Sequence, residues 1–399
     1  MSKLPLGWEL VELNDIVKFN NGKGHEQYID ENGNYIVVNS KFISTNGEIR
    51  KYSNENLSPL KKGDIAMVMS DIPNGRALSK CFLIEKDNRY TLNQRICSLE
   101  AKKDDVKFLF YKLNRNKYFL KFNDGINQTN LRKNEVLDCP VELPPLEEQK
   151  KIADILSTVD EKIAFVQDSI NQTEELKKAL MQKLLTEGIG HTEFKDSELG
   201  KIPKSWRIVK LEEVCSKIVG GGTPSKNEST YWENGTIPWV TPSEFTKSKS
   251  KFISTTENKI TEDGLKNSSS ILLEVGTVIM SSRATIGECK INTIEITTNQ
   301  GFISFKCNDS LYNLYLLFLL IFNKNNILKI SSGSTFLEVS RTSMKNFNIH
   351  FPPFEEQKQI AEILSTIDEK LEVLRDKKEH FEELKKGLMQ KLLTGEIRV

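Results

Sequence analysis

Pro144-Pro145-Leu146-Glu147-Glu148-Gln149-Lys150 returns 208 residues later as Pro352-Pro353-Phe354-Glu355-Glu356-Gln357-Lys358. At the same offset Ile155 to Lys162 returns as Ile363 to Lys370 with one Val-to-Ile change, and Leu180 to Thr186 returns unchanged as Leu388 to Thr394. Three separated runs at one offset mark an internal repeat, and a repeat decides the fold before any single element does. Further out, Pro5-Leu6-Gly7-Trp8-Glu9-Leu10-Val11-Glu12-Leu13 is echoed by Pro203-Lys204-Ser205-Trp206-Arg207-Ile208-Val209-Lys210-Leu211. Each half therefore opens alike and ends alike. Between these bookends only hints are shared, such as Asn93-Gln94 against Asn299-Gln300 and Gly63-Asp64-Ile65 against Gly276-Thr277-Val278.

The repeated ends read as helices. After the Pro-Pro stop, Ile152, Val159, Val166, Thr173 and Leu180 alternate with Leu156, Ile163, Ile170, Lys177 and Leu184 in steps of three and four, which is a coiled-coil seam. The second copy supplies Leu364, Ile367, Leu371, Leu374, Phe381, Leu388 and Leu392. Lys177 and Lys385 interrupt the seam, either to set register or where packing changes. At 1.5 Å per residue, Gln149 to Leu185 spans on the order of 55 Å. A single apolar stripe has to be buried, and the nearest partner is the other copy in the same chain. A whole domain separates the copies, so the expected pairing is an antiparallel intramolecular coiled coil, with one globular domain at each end and a pseudo-twofold relation between them.

The diverged middles carry short β-rich runs, Tyr35 to Val38, Ile65 to Met69, Val278 to Met280 and Gly301 to Phe305, between Gly, Asn and Ser clusters. Phe108 to Leu120 and Leu311 to Phe322 read as short helices. The expected fold class is α+β: globular domains at 1–143 and 191–350, and helical regions at 144–190 and 351–399.

With 399 residues, 38% apolar and 28% charged, the chain suits two ordinary domains, and no apolar run reaches the ~18 residues of a membrane span. Met1 to Pro5 lacks the features of a secretory signal, so the expected location is the cytoplasm. There the six scattered cysteines (Cys81, Cys97, Cys139, Cys215, Cys289, Cys307), with no C-x-x-C pair and only four histidines, read as reduced thiols and not as a metal site. The net charge of +1 hides a division. Residues 1–143 hold 22 Lys/Arg against 19 Asp/Glu and residues 201–350 hold 18 against 13, whereas the helical remainder carries a net −7. Basic globular domains favour contact with nucleic acid, and acidic helices favour protein partners.

On these features the chain resembles the specificity subunits of type I restriction-modification systems over essentially its full length. The resemblance rests on the openings at Trp8 and Trp206, the Pro-Pro-x-Glu-Glu-Gln entries, the Ile-Leu-Ser-Thr-x-Asp-Glu-Lys helices and the Leu-Met-Gln-Lys-Leu-Leu-Thr exits. It implies that the middles are two target-recognition domains, each reading one half of a split sequence in double-stranded DNA. It also implies two modification subunits that methylate adenine with S-adenosylmethionine, and restriction subunits that use ATP and Mg2+. The chain itself is expected to hold no cofactor and no catalytic site. Gly220-Gly221-Gly222-Thr223-Pro224-Ser225-Lys226 lacks the G-x-x-x-x-G-K-S/T spacing of a phosphate loop. Phe351-Pro352-Pro353-Phe354 lacks the polar first residue with which an Asn-Pro-Pro-aromatic motif holds a flipped adenine, and helix entry accounts for its prolines. The competing classes are a coiled-coil scaffold without DNA reading and a self-contained methyltransferase or nuclease.

Base edges are read mostly by Arg, Lys, Asn and Gln, and phosphates are often held by Ser, Thr and backbone amides. The candidates near turn signals in the first domain are Lys23, Lys41, Arg76, Gln94, Arg95, Asn127, Gln128 and Arg132. In the second they are Thr223, Ser225, Lys226, Tyr231, Ser243, Arg283, Thr285, Asn299, Gln300 and Ser334. The Gly220–Gly222 run either lets backbone approach phosphate or only allows a tight turn. Arg283 reads a base or pairs with a carboxylate of its own domain. Trp8 and Trp206, each ahead of an alternating strand, read as core anchors and not as stacking platforms.

Overall fold

The computed structural model describes residues 4–73, 75–332 and 337–399. The chain forms two compact units, Met1–Asp168 with Asp376–Val399, and Ser169–Arg375. Each unit therefore contains one globular domain, the beginning of one long helix and the end of the other.

In the first unit, strand Glu9–Glu12 pairs antiparallel with Pro140–Leu143, so the opening of the domain is stitched to the segment that enters Pro144-Pro145. The main sheet has the order Val17–Asn21, Ile96–Ala101, Ile65–Val68, Cys81–Leu83 and is antiparallel throughout. Its inner strand Ile65–Val68 is buried on both faces. Ile65 and Met67 enter one core with Phe108, Leu109 and Phe119, while Ala66 and Val68 enter another with Ile36, Val38 and Phe42. This is the two-residue alternation of a strand with apolar layers on both sides. A three-stranded sheet, Tyr52–Ser53, Tyr35–Val38, Tyr90–Leu92, contributes to the second core.

The second unit repeats the scheme. Arg207–Lys210 pairs with Asn348–Phe351, and a five-stranded sheet runs Cys215–Gly220, Phe302–Cys307, Val278–Ser281, Cys289–Asn292, Phe252–Ile253. Val278 and Met280 face a core with Leu316 and Phe318, and Ile279 faces one with Val240 and Phe245. Leu311 to Phe322 forms the buried helix Asn313–Phe322. Phe108 to Leu120 is instead two helices, Val106–Leu113 and Lys117–Leu120. The break has a tertiary cause: Asn114 Oδ1 accepts the Cys81 N–H at 3.0 Å, and Arg115, at φ 57°, donates Nη1–H to the Leu78 carbonyl at 3.0 Å.

The long helices are Leu146–Thr186 and Phe354–Leu392. Every seam residue named above is buried or half-buried. In the first unit Asp160 pairs with Lys385 at 2.6 Å, while Ile152 and Leu156 pack in one cluster with Leu388 and Leu392. In the second, Lys177 pairs with Asp368 at 2.7 Å and Glu174 with Arg375 at 2.6 Å. Within each unit the beginning of one helix thus lies against the end of the other, which is antiparallel pairing.

The repeated motif does the same work twice. Pro145 and Pro353 lack the N–H that would extend a helix backward, and their carbonyls accept from Gln149 and Gln357, each at 3.0 Å. The second glutamate of each motif accepts a tryptophan indole N–H: Trp8 to Glu148 at 3.3 Å and Trp206 to Glu356 at 2.9 Å. Both tryptophans are buried, as core anchors are. The glutamine, fully buried in each copy, ties the long helix to its domain. Gln149 accepts the Asp105 N–H at 2.9 Å and donates to Pro144 O at 2.9 Å; Gln357 accepts the Tyr312 N–H at 2.9 Å and donates to Pro352 O at 2.9 Å and Ser310 O at 3.0 Å. Asp105 and Tyr312 are the N-caps of Val106–Leu113 and Asn313–Phe322.

Candidate nucleic-acid interface

Antiparallel pairing places alternate strand ends together. Strand Val17–Asn21 finishes, Ile96–Ala101 starts, Ile65–Val68 finishes and Cys81–Leu83 starts at one end of the first sheet. The loops leaving that end carry most of the candidates. The Lys23 N–H bonds to the Leu92 carbonyl at 3.0 Å and Asn93 N–H to the Val38 carbonyl at 3.1 Å, so the loops with Lys23, Gln94 and Arg95 adjoin one another and the short helix Ser40–Ser44 that bears Lys41. Met69 N–H bonds to the Arg95 carbonyl at 3.1 Å, and Leu131 N–H to the Met69 carbonyl at 2.8 Å, which adds Arg132. Strand Ser70–Asp71 pairs with Thr129–Asn130, and Gln128 donates to Ser70 Oγ at 2.9 Å. Arg76 stands on a loop closed by the Asp71 carboxylate, which accepts the Ala77 N–H at 2.6 Å and the Leu78 N–H at 3.0 Å. Asn127 is folded back on Asp124, 3.0 Å away, and is oriented by its own turn.

Lys23, Lys41, Arg76, Arg95 and Arg132 are all exposed. Exposed cations at one sheet end, in a domain of net positive charge, make a surface suited to phosphate. Behind it lies buried His25, whose ring nitrogens contact Lys23 O and Thr91 Oγ1, each at 2.7 Å. Burial holds this imidazole below its ordinary pKa.

The second sheet has the same end. Gly222 N–H bonds to the Thr298 carbonyl at 2.8 Å, Asn299 N–H to the Val240 carbonyl at 3.2 Å, and Ser282 N–H to the Gly301 carbonyl at 2.8 Å. These bonds gather Thr223, Asn299, Gln300, Arg283, Thr285 and the helix Pro242–Lys247 with Ser243. Two glycines are forced by the approach of the loops: a Cβ on Gly22 would lie 1.9 Å from Asn93 O, and one on Gly221 would lie 2.0 Å from Asn299 O. Gly222 is closed off in the same way, a Cβ there falling 2.4 Å from Ser269 C, so two of the three glycines in the Gly220–Gly222 run are set by packing within the domain. Arg283 is paired with Glu338 at 2.9 Å. Ser225 accepts the Trp232 indole N–H on its carbonyl at 2.9 Å and leaves Lys226 exposed beside it. Tyr231 is half-buried, and its carbonyl accepts the Thr261 N–H at 3.0 Å. Ser334 lies outside the described residues.

A family model described as the type I restriction modification DNA specificity domain matches residues 5–175 and again 203–383. The chain belongs to that family. The MjaVIII specificity subunit of a type I restriction enzyme from Methanocaldococcus jannaschii is 30% identical over 100% of this chain and 94% of its own. The EcoR124I/EcoR124II specificity subunit of Escherichia coli is 27% identical over 44% of this chain and 42% of its own. Among solved structures, the S subunit of a type I restriction-modification system from M. genitalium aligns over 98% of this chain and 97% of its own, with TM-score 0.63 and 16% identity. A chain from a structure on complex assembly and conformational transition of the type I system aligns over 100% of both, with TM-score 0.59 and 20% identity. These two likenesses establish the fold.

In this family member, one candidate escaped sequence reading. Arg341, exposed at the start of helix Arg341–Lys345, lies against Gly220 at the same sheet end. No turn glycine flags it, and the only local signal is the capping Ser340. Among the described residues no helix is long and apolar enough to cross a membrane, and no group of His, Cys, Asp or Glu could hold a metal ion.

Proposed function

We propose that the chain reads a two-part target in double-stranded DNA, one half with each globular domain. Its partners are modification subunits, two per complex, which bind S-adenosylmethionine and methylate adenine, and restriction subunits, which use ATP and Mg2+. The observation that carries this reading is the recurrence of one loop cluster, Gly22 with Asn93-Gln94 and Gly221 with Asn299-Gln300, at the same sheet end of two otherwise different domains. To it we add as DNA contacts Lys23, Lys41, Arg76, Arg95, Asn127, Gln128 and Arg132 of the first domain and Thr223, Ser225, Lys226, Tyr231, Ser243, Arg283 and Thr285 of the second, with Ser334 proposed from its place in the sequence alone. The chain does no chemistry itself, and a cytoplasmic location follows from its partners and substrate. Adenine inside a stacked duplex is out of reach of a methyl donor, so the modification subunits would flip it out.

The test is co-expression with the modification subunit in a methylation-free host, followed by sequencing that detects N6-methyladenine. A split motif is expected, and exchange of residues 1–143 should change one half of it only. Arg76→Ala should loosen one base pair of that half, since a bidentate base contact is worth about 1–3 kcal/mol of discrimination. A complex that assembles and binds S-adenosylmethionine but leaves no motif would favour the scaffold reading.

A further inference from the structure

We infer that Gln94 and Gln300 grip DNA without regard to sequence, each donating its amide N–H to a backbone phosphate beside its half-site. This rests on the DNA-reading assignment above and divides the labour within it. The two domains differ in nearly every loop, yet both keep Asn-Gln at this position, on a loop that packs against a glycine with room for no side chain. An exposed side chain kept by two domains that read different half-sites fits what those half-sites share, and that is the sugar-phosphate backbone.

The side-chain chemistry agrees. Each amide is oriented by one bond within the protein: Gln94 Nε2 donates to Glu26 Oε1 at 3.1 Å, and Gln300 Oε1 accepts from the Thr223 hydroxyl. Each amide nitrogen keeps a hydrogen to donate, and both glutamines are exposed. Exposed cations stand on the neighbouring loops, Lys23 and Arg95 in the first domain and Lys226 and Arg341 in the second, as suits a phosphate contact. Glu26 is the discordant group: its carboxylate orients Gln94 but repels the backbone.

The experiment uses the full chain assembled with its modification subunit. Binding is measured to a duplex carrying the methylated motif and to one lacking it, for wild type, Gln94→Ala and Gln300→Ala, and each motif is sequenced by N6-methyladenine detection. Loss of one hydrogen bond predicts binding about three- to tenfold weaker to both duplexes, with the motif unchanged. Glu26→Gln should tighten binding to both. A base of the motif becoming degenerate in either glutamine variant would make that glutamine a base reader and overturn the inference, as would wild-type affinity in both variants. If the wild-type complex leaves no split motif, the DNA-reading assignment itself fails; if the motif is present and the variants bind like wild type, only the phosphate role fails.

Discussion

Gln357→Leu tests the idea that the repeated glutamine, and not the apolar seam alone, fixes each long helix to its domain. Leucine is close in size, so the core keeps its volume while three hydrogen bonds are lost. The Ser310 carbonyl belongs to an exposed residue and can recover water, whereas the Pro352 carbonyl is left buried and the Tyr312 N–H is left unpaired in a half-buried residue. Two orphaned backbone groups at the lower end of the usual range cost about 2–3 kcal/mol. Because Tyr312 is the N-cap of the buried helix Asn313–Phe322, the loss should appear as local opening there. Amide hydrogen exchange resolved by residue is the assay: Tyr312 and the first turn of that helix should exchange about 30- to 150-fold faster, tenfold per 1.4 kcal/mol. The Asp105 amide, held by Gln149 in the other unit, should be unchanged. Gln149→Leu should give the mirror result. Unchanged protection at Tyr312, with a loss of stability below 1 kcal/mol, would refute the reasoning and leave the helix held by packing alone.

Asp160→Lys and Lys385→Asp should each lower stability, and the double exchange should restore about 0.5–1 kcal/mol, the coupling of a partly exposed pair; additive losses in urea melts would deny the pair any role. Burial holds the imidazoles of His25 and His350 below their ordinary pKa, so each contributes stability that is complete above pH 6.5 and is lost as pH falls through its lower folded-state value. The melting temperature should therefore drop between pH 7 and 5, and less so in a His25→Gln, His350→Gln variant; equal pH slopes would count against both. Burial pushes the Cys97 and Cys139 thiols up to about 12 and raises those of Cys81 and Cys289, the hydrogen bond with Cys307 and then burial raise that of Cys215, and Cys307 is half-exposed. Titration with an aromatic disulfide at pH 8 should find one fast thiol, abolished by Cys307→Ser, and all six only on unfolding.

The helical part of the fold was legible because its determinants are local. Proline stops a helix through its own ring, a seam shows in steps of three and four along one segment, and the repeat supplied each signal twice. The four strands named from sequence were legible for the same reason, since Ile65–Val68 and Val278–Ser281 are short apolar runs between turns. Sheet order was not, because the partners are remote: Val17 lies opposite Ala101, and Cys215 opposite Cys307. The interface divides in the same way. Exposed Lys and Arg beside turn residues could be named, but the partner of Arg283 is Glu338, distant in sequence, and Arg341 has no turn glycine beside it. Gly22 looks like any turn residue until the loop behind it is placed against Asn93.

The lysines that interrupt the seam acquire a meaning only when the two copies are considered together. Each copy has an aspartate, Asp160 or Asp368, and seventeen residues later the interrupting lysine, Lys177 or Lys385. A parallel pairing in register would set aspartate beside aspartate and lysine beside lysine, which repels. The antiparallel pairing joins the aspartate of each copy to the lysine of the other, so one sequence motif, duplicated, supplies both halves of both bonds. The surroundings have since diverged. In the first unit Tyr111 donates its hydroxyl to Asp160 at 2.7 Å; in the second the equivalent helix position is Phe318, which has no hydroxyl, and Lys251 reaches Asp368 across the Phe318 ring, 4.7 Å from its centre. The aspartate thus keeps a second partner in both units although the side chain that supplies it has changed. A charge interrupting an apolar seam is costly unless it is paired, and the retention of both pairs with different neighbours identifies the Asp–Lys bond, and not its setting, as the feature that specifies chain direction.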